Sequence, residues 1–360
     1  GIRRAGERHA AGTVGHLRHA FDAIRPIQAR TASAVLSPNR FLPGRQSCYG
    51  TAVTKLDPSP SPRSAVYGAP LSSLVDVPAG AVQLSPLRPG AEALEAQPDA
   101  AFAELVIAAP PGSIERRFVL AHALRALAPG GAMTVLAAKD KGGQRLRGEL
   151  EAFGCDVAEH YKSRQRVCSL VRPETLHGLE DAIAAGAPVT VEEIGLRSQP
   201  GIFSWNRVDP GTSLLLRHLP KLAGRGADLG AGLGVLSQAV LASPAVEELT
   251  LVEIDRRAVE ASKVNVTDPR ARFVWADARE TALGDLHFIV SNPPFHSEGI
   301  EDRGLGQAFI TAAGRMLRRS GTLYLVANRH MPYEEVLRTS FRSVKPLADE
   351  AGYKIFEARK

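Results

Sequence analysis

At 360 residues the chain is longer than one ordinary domain, and two domains with sizeable cores are expected. A formal net charge of +6 and a pI of about 9.4 fit a polyanionic partner such as RNA, although the basic residues are scattered. No apolar run is long enough to span a membrane and none follows the basic start, so we expect a cytoplasmic protein with no membrane partner. The three cysteines, Cys48, Cys155 and Cys168, lie far apart, which predicts reduced thiols.

Residues 1–62 predict a flexible basic tail that ends in a linker. Arg and His are dense at the start, and the pattern from Val14 to Ile24 fits a helix. The run Leu56–Pro62 alternates Pro and Ser, which supports neither a helix nor a central strand. An arm that contacts RNA is a second interpretation of the basic composition.

A first folded domain is predicted between residues 63 and 187. Short apolar runs predict buried strands there, and stretches with helical periodicity predict helices. The expected elements are the strands Leu105–Ala109, Ala132–Ala137 and Arg166–Val171 and the helices Ile114–Leu127 and Gln144–Phe153.

A second domain is predicted over residues 188–360, where strands again alternate with helices. This alternation indicates a parallel sheet covered on both faces. The expected helices are Thr212–Leu219, Val235–Ala242 and Arg256–Asn265, and the expected parallel strands are Glu248–Asp255, Arg272–Ala278, Leu286–Val290 and Thr322–Ala327. Two last strands, Ser343–Ala348 and Tyr353–Ala358, flank a short Gly-containing turn and predict an antiparallel hairpin.

The same order of features occurs in both domains and predicts an internal duplication. Two pairs of segments can be aligned position by position: Leu105–Gly112 with Phe288–Phe295, and Gly131–Ala137 with Gly321–Ala327. In this alignment Ala109 and Gly112 stand where the second copy has Asn292 and Phe295, while both copies keep a double proline. The first copy also lacks a Gly-rich turn. We therefore expect it to keep the fold without the chemistry, with the prolines as part of the shared scaffold.

A Gly-rich loop is expected between a further strand, which precedes Glu248–Asp255 in the chain, and the helix Val235–Ala242. Its sequence is Asp228-x-Gly230-x-Gly232-x-Gly234. Glycines allow the backbone to turn tightly and allow a ligand to approach closely. Because these glycines alternate, the loop differs from the Gly-x-Gly-x-x-Gly fingerprint of dinucleotide-binding proteins.

Two carboxylates follow the next two strands. Glu253 ends the strand after the loop, where a doubly wound sheet places an acceptor for ribose hydroxyls. Asp277 ends the third strand and is suited to accept from an adenine amino group. Solvated acids at strand ends are the alternative for both. Asp255 is expected to cap the helix that follows it.

The segment Val290–Phe295 reads Val-Ser-Asn-Pro-Pro-Phe and begins where a strand ends. Two consecutive prolines fix the backbone and remove two donors, so the loop is stiff. The amide carbonyl of the Asn292 side chain and the backbone carbonyl of Pro293 are then two fixed acceptors beside the ring of Phe295. This combination suits a planar molecule with an amino group.

The Gly-rich loop, the two carboxylates and the Asn-Pro-Pro-Phe segment resemble the class I S-adenosylmethionine-dependent methyltransferases, in that family's order. Within it, Asn-Pro-Pro-Phe/Tyr marks members that methylate planar amino groups on adenine, guanine or glutamine amide. Two further segments, Gly201–Ser204 and Asp209–Thr212, make the chain similar to the bacterial 16S rRNA guanine-N2 methyltransferases. That family has two tandem methyltransferase-like domains, the first unable to bind cofactor. The resemblance covers residues 65–360 and is most specific over 195–330.

The resemblance implies an α/β fold class with two tandem Rossmann-like domains, mostly parallel sheets and a C-terminal antiparallel hairpin. It implies that Asn292, Pro293 and Phe295 are catalytic, with S-adenosylmethionine as cofactor. The implied cofactor-binding residues are Asp228, Gly230, Ala231, Gly232, Gly234, Glu253, Asp277, Ala278 and Asn292. No metal site is expected. The partner would be ribosomal RNA or the small ribosomal subunit, and the protein would be a monomer.

Three residues receive secondary roles from the same resemblance. Phe203 and Thr212 are expected to line the methionine end of the cofactor. His296 could relay a proton, and a loop histidine with only a structural role is the stronger interpretation.

Other functions remain open from the sequence. The same loop would serve an enzyme of 23S rRNA, or one that methylates protein glutamine or DNA adenine. The glutamine enzymes favour Tyr at the position of Phe295. A non-catalytic RNA-binding or assembly factor is the alternative from another class, and an intact Asn292 and Glu253 argue against it.

Overall fold

Two β-sheets with their helices make up the described part of the protein, which is residues 63–294, 296–297, 300–301 and 303–360 of a computed structural model. The predicted tail and linker, including the helix at Val14–Ile24, and Cys48 lie outside the described residues. The described residues, from 63 onward, belong to one compact unit. Cys155 and Cys168 are buried free thiols, as expected. Among the described residues, no helix is long and apolar enough to cross a membrane.

The first sheet contains six strands in the order β2-β1-β3-β4-β6-β5. The strands are β1 (Arg63–Tyr67), β2 (Val82–Gln83), β3 (Phe102–Ala108), β4 (Leu127–Ala138), β5 (Ala158–Lys162) and β6 (Gln165–Val171), and the helices are α1 (Ser113–Ala126), α2 (Gln144–Ala152) and α3 (Leu179–Gly186). Strands β1 to β4 pair in parallel, whereas β6 is antiparallel to both β4 and β5. The predicted order of strands and helices is confirmed, and β1, β2, β5 and α3 were not predicted.

A short antiparallel hairpin, β7 (Val189–Val191) and β8 (Leu196–Ser198), separates the two sheets in sequence. The helices of the second half are α4 (Pro210–His218), α5 (Val235–Leu241), α6 (Arg256–Asn265), α7 (Arg303–Met316) and α8 (Glu334–Ser340). Helix α6 has the predicted bounds, and Asp255 caps it by accepting from the Arg257 N–H, as expected. Helix α8 and the hairpin were not predicted.

The second sheet has the order β11-β10-β9-β12-β15-β17-β16. Its strands are β9 (Gly224–Leu229), β10 (Val246–Glu253), β11 (Ala271–Trp275), β12 (Leu286–Ser291), β15 (Leu317–Asn328), β16 (Ser343–Glu350) and β17 (Tyr353–Arg359). The first five strands in this order are parallel, and β17 and β16 form the predicted antiparallel hairpin. A separate two-stranded pair is formed by β13 (His296–Ser297) and β14 (Ile300–Glu301). The predicted fold class is confirmed.

The alignment between the two copies is wrong by one residue. Leu105 pairs with Met133 in the first sheet, and Ile289 pairs with Leu323 in the second. Since Met133 and Leu323 both lie two residues after the Gly that the two copies share, Leu105 corresponds to Ile289 rather than to Phe288. The counterpart of Asn292 is therefore Ala108, not Ala109.

The core explains why this correction holds. Leu105 packs in the cluster that includes helix α1, and Ile289 packs in the cluster that includes helix α7, whereas Phe288 lies in the cluster on the other face of its sheet. A shift by one residue would move every side chain of a strand to the opposite face. By this correspondence Pro293 aligns with Ala109 and Pro294 aligns with Pro110, so the interpretation of Pro293 as shared scaffold is wrong.

The start of helix α6 joins the second sheet to the first. Arg257 donates to Glu115 at 2.7 Å and to Asp255 at 2.8 Å, and all three side chains are nearly buried. A Cβ on Gly201 would lie 2.5 Å from the Glu115 carboxyl carbon, so the backbone packs closely against this group. Removing one partner of a buried ion pair of this kind strongly destabilises a protein, because the other charge is left buried and unpaired.

Candidate active site

The predicted site residues lie at the carboxyl edge of the second sheet. Strand β9 lies between β10 and β12, so the loop after Leu229 has Glu253 on one side and Asn292 on the other. Ligands of open α/β sheets bind in the crevice at this edge. The sheet order thus brings together residues that are up to 64 positions apart in sequence, as the 228-to-292 spacing shows.

The three glycines of the loop each have positive φ, at +75° for Gly230, +53° for Gly232 and +84° for Gly234. A Cβ on Gly234 would lie 2.6 Å from Val266, so that glycine allows close packing against helix α6 and the segment after it. A Cβ on Gly230 would lie 3.7 Å from the carbonyl oxygen of Asn292. A Cβ on Gly232 would meet no neighbouring atom within 4 Å. The loop therefore has packed ends and an open middle.

Glu253 is held by backbone donors. Its Oε2 accepts from the Gly232 N–H at 2.8 Å, and its Oε1 accepts from the N–H groups of Ile254 at 2.7 Å and Asp255 at 2.9 Å. Burial raises the pKa of the Glu253 carboxyl, and the backbone hydrogen bonds act in the opposite direction. An ionised carboxylate has about four acceptor positions, so three bonds leave room for a hydroxyl donor.

Asp228 lies at the start of the Gly-rich loop and is fully buried. Its Oδ2 accepts from the Ser237 hydroxyl at 2.7 Å, while its Oδ1 has no hydrogen-bond partner among the described residues. Burial is the largest cause that raises the pKa of Asp228, to about 7, and the nearby charge of Glu253 adds to it. The carboxyl thus links the end of β9 to helix α5 on the far side of the Gly-rich loop and carries an unused acceptor.

The Asn292 side chain has a fixed orientation. Its Nδ2 donates to Asp209 Oδ2 at 2.9 Å and to Thr212 Oγ1 at 2.9 Å. A carboxylate can only accept, so the nitrogen must face Asp209 and the amide oxygen faces away from it. Both N–H groups of the amide therefore donate hydrogen bonds within the protein. The Asn292 Oδ1 is thereby turned away from Asp209 as an acceptor, on a residue whose backbone carbonyl lies near Gly230.

Asp209 is a site residue that the sequence reasoning did not assign. It is the N-cap of helix α4, where its Oδ2 also accepts from the Thr212 N–H at 2.9 Å, and Pro210 follows at the first helical position. The Asp-Pro-Gly-Thr sequence signalled this cap. The second bond, from Asp209 to Asn292, spans 83 positions and has no local signal.

Asp277 is engaged by a nearby arginine. Its carboxylate accepts from the Arg279 guanidinium at distances between 2.5 and 3.0 Å and from the Arg279 N–H at 2.8 Å. Although burial raises it, these bonds with Arg279 leave the pKa of Asp277 below its usual range. The carboxylate closes a local turn here, and an adenine amino group would have to share it with Arg279.

Known methyltransferases are similar to this protein in sequence. The model of the Methyltransferase small domain family matches residues 193–357. A ribosomal RNA small subunit methyltransferase C from Pseudomonas aeruginosa is 32% identical over 258 residues, which cover 69% of this chain and 77% of that protein. The chain belongs to the ribosomal RNA small subunit methyltransferase C family. The resemblance seen in the sequence is thereby confirmed.

Other relatives in the small subunit methyltransferase C family match over different lengths. One from Shewanella baltica is 34% identical over 166 residues, or 46% of this chain, and the match spans 48% of that relative's length. Among solved structures, the T. thermophilus 16S rRNA N2-guanine methyltransferase, determined with AdoMet and guanosine, has a TM-score of 0.60 and 27% identity. It covers 74% of this chain and 76% of that one.

The remaining predicted residues of this family site differ in what the structure shows. The side chains of Ala231 and Ala278 are buried in the hydrophobic core, so only their backbone can face a ligand. Thr212 is buried and bonded to Asn292. Phe203 is 58% exposed.

Two more predictions fall on residues that the structure leaves undescribed. Phe295 lies outside the described residues, as does the side chain of His296. The roles predicted for both therefore stay predictions.

Proposed function

We propose that this protein transfers a methyl group from S-adenosylmethionine to the exocyclic N2 amine of a guanine in 16S ribosomal RNA. The main structural support is the Asn292 amide, which Asp209 and Thr212 orient so that its oxygen faces away from them as an acceptor, on a residue whose backbone carbonyl lies near Gly230 of the Gly-rich loop. The activities named for its relatives in the family agree with this chemistry.

The residues present fit S-adenosylmethionine. The open direction above Gly232 provides space at the middle of the loop, and Glu253 keeps acceptor positions for ribose hydroxyls. We assign the loop backbone, from Gly230 through Ala231 to Gly234, to the same ligand, with Asp228 as its support. Asp277 and the backbone of Ala278 would line the adenine, and the Asp277 carboxylate would accept hydrogen bonds from both Arg279 and the base.

S-adenosylmethionine, when bound, supplies a methyl group that its sulfonium already activates. The protein must then place a weak nucleophile, because the lone pair of a guanine amine is delocalised into the ring. The Asn292 Oδ1 and the Pro293 carbonyl would each accept a hydrogen bond from one N–H group of this amine. Together they would direct its lone pair at the methyl carbon. Phe295 would stack on the base. Positioning of this kind can contribute about 7–11 kcal/mol. The nitrogen–methyl bond would form as the sulfur–methyl bond breaks, and the nitrogen would lose a proton to solvent after transfer, when it has become much more acidic, so no strong base is required.

The substrate places a further requirement on the protein. A guanine within folded RNA must leave its stack to enter the site, which costs a few kcal/mol.

We propose that the protein acts as a monomer in the cytoplasm, on the small ribosomal subunit or its RNA, with residues 1–62 as a basic tail. We further propose that residues 63–187 form a cofactor-free domain and residues 188–360 the catalytic domain.

The experiment uses S-adenosylmethionine labelled on the methyl group. The full-length protein is incubated with small ribosomal subunits, free 16S rRNA, free 23S rRNA, adenine-containing DNA and a glutamine peptide, and the products are digested and separated. We expect labelled N2-methylguanosine from a 16S substrate and a loss of at least about 100-fold in Asn292→Ala, as for removal of a donor or acceptor at a reacting centre. Label in 23S rRNA, DNA or peptide alone would refute the proposed substrate. A wild-type rate in Asn292→Ala would refute the role of the amide.

A further inference from the structure

A cleft of ≈ 510 Å³ lies where the first domain meets the carboxyl edge of the second sheet. Residues of both domains line it, including Leu87, Arg88 and Pro89 from the first and Ile254, Ala276 and Asp277 from the second. Ile254 directly follows Glu253, and Asp277 ends the strand next to it. The cleft therefore begins beside the carboxylate assigned above to ribose hydroxyls.

Leu87 is held at the tip of a rigid turn. The Arg88 N–H donates to the Ser85 carbonyl at 3.3 Å, and the Leu87 N–H donates to the Ser85 hydroxyl at 3.2 Å. Pro86 occupies the second position of this turn, which its fixed φ favours. Ser85 itself is buried. The turn thus presents the Leu87 side chain in one direction while the backbone on either side is anchored.

The same turn is attached to the second domain. The Pro86 carbonyl accepts from the Arg256 N–H at 3.0 Å, at the first residue of helix α6. The Arg256 guanidinium donates to Glu95 of the first domain at 3.0 Å and lies 5.9 Å above the ring of Trp275. Since Trp275 donates to the Ile254 carbonyl at 2.8 Å, one set of contacts fixes Leu87 and Ile254 relative to each other.

Two large apolar side chains of this cleft are solvent-exposed. Leu87 is 50% exposed and Ile254 is 36% exposed, although both are on well-anchored backbone. An adenine ring has two apolar faces and a polar edge with an amino group. A cleft with aliphatic side chains from two domains and the Asp277 carboxylate matches that pattern.

We propose that Leu87 forms one wall of the adenine pocket, so that the first domain contributes directly to cofactor binding. This inference rests on the proposed function, since it requires S-adenosylmethionine to bind along Glu253. The first domain then has a role in the site even though it has no cofactor loop of its own. Cofactor binding would also add a contact between the two domains.

The test measures the Kd of S-adenosylhomocysteine, the product of the transfer, by isothermal titration calorimetry on the full-length protein. Leu87→Ala removes roughly 40 Å² of apolar contact with the base, which corresponds to an about five-fold rise in Kd. Leu87→Met keeps a side chain of similar volume and should bind within about two-fold of the wild type. Leu71→Ala is the matched control, because Leu71 is also in the first domain, is 47% exposed and does not line this cleft.

The outcomes separate this inference from the proposed function. A five-fold loss in Leu87→Ala, with wild-type affinity in Leu71→Ala and Leu87→Met, supports the shared pocket. Equal affinities in wild type and Leu87→Ala overturn it, and so does an equal loss in both alanine variants. A wild-type protein that binds neither S-adenosylhomocysteine nor S-adenosylmethionine would instead overturn the proposed function.

Discussion

Asp209 provides the sharpest test of how the active amide is oriented. One oxygen, Oδ2, accepts both from the Thr212 N–H at the start of helix α4 and from the Asn292 Nδ2, each at 2.9 Å. Asp209→Ala removes both contacts. Asp209→Ser keeps a side chain that caps helices as well as Asp does, but its hydroxyl is one bond shorter and we expect it not to reach Asn292. Asp209→Asn keeps an oxygen that can accept both bonds.

The two contacts have different expected magnitudes. Loss of an N-cap costs about 1 kcal/mol of stability, so Asp209→Ala should unfold at a slightly lower temperature than Asp209→Ser. A hydrogen bond to a charged group contributes about 1.5–3 kcal/mol. If that energy holds Asn292 in its reactive orientation, both variants should lose roughly 10- to 100-fold in kcat/KM for the RNA.

The assay compares methyl transfer with cofactor affinity and folding in the same preparations. We expect Asp209→Ser to have the wild-type unfolding temperature and the wild-type Kd for S-adenosylhomocysteine, with the loss confined to transfer. Asp209→Asn should retain more activity than Asp209→Ser because it can still accept from Asn292. A wild-type transfer rate in Asp209→Ser would refute the proposed orientation of Asn292.

Two further substitutions test the Gly-rich loop and its support. Asp228→Asn removes a carboxyl whose pKa burial raises from 3.8 to about 7. The free energy of unfolding of the wild type should therefore fall as pH rises through that interval, by roughly 4 kcal/mol at most. In urea titrations the variant should be more stable than the wild type at pH 8 but not near pH 4. A constant difference between these pH values would contradict this. Gly232→Ala places a methyl group in the open space at the middle of the Gly-rich loop, and it strains a residue at φ +53° at a cost of about 1–2 kcal/mol of folding stability. Because the methyl group would take up space assigned to the ligand, S-adenosylhomocysteine should bind at least about ten-fold more weakly in calorimetry. An unchanged affinity would contradict a ligand next to Gly232.

The sequence was sufficient for the long, strongly patterned elements. Helix α6 could be bounded because Asp255 caps it and its apolar positions repeat with helical spacing. Strands β10 and β12 contain the buried segments Leu249–Val252 and Phe288–Val290, which short apolar runs signal directly. Helices α3 and α8 have only eight and seven residues, and helices of that length depend on tertiary packing. Helix α5 is as short, and it could be predicted because the Gly-rich loop leads directly into it.

The site was predictable only where its signals are local. The Gly-rich loop was found by its alternating glycines, and Glu253 was found because it ends a recognisable apolar strand. The bond between Asp209 and Asn292 depends on where helix α4 packs, which the sequence does not display. The one-residue error between the copies has a similar cause, because two prolines aligned the letters while the alternating faces of the strands determine the true correspondence.

The region after β3 shows why the first domain lacks an equivalent amine-binding loop. Arg116 is only 1% exposed there and donates to Glu149 at 2.6 and 2.7 Å and to the Pro111 carbonyl at 2.8 Å. A Cβ on Gly142 would lie 1.9 Å from the Arg116 guanidinium, so the backbone packs tightly around it. By the corrected alignment the counterparts of Asn292 and Pro293 are Ala108 and Ala109, so the first domain has no side-chain amide at this position, and the two carbonyls that follow, of Pro110 and Pro111, accept from a protein guanidinium. Any contribution of this domain to the reaction must therefore come from other surfaces, such as the turn that carries Leu87.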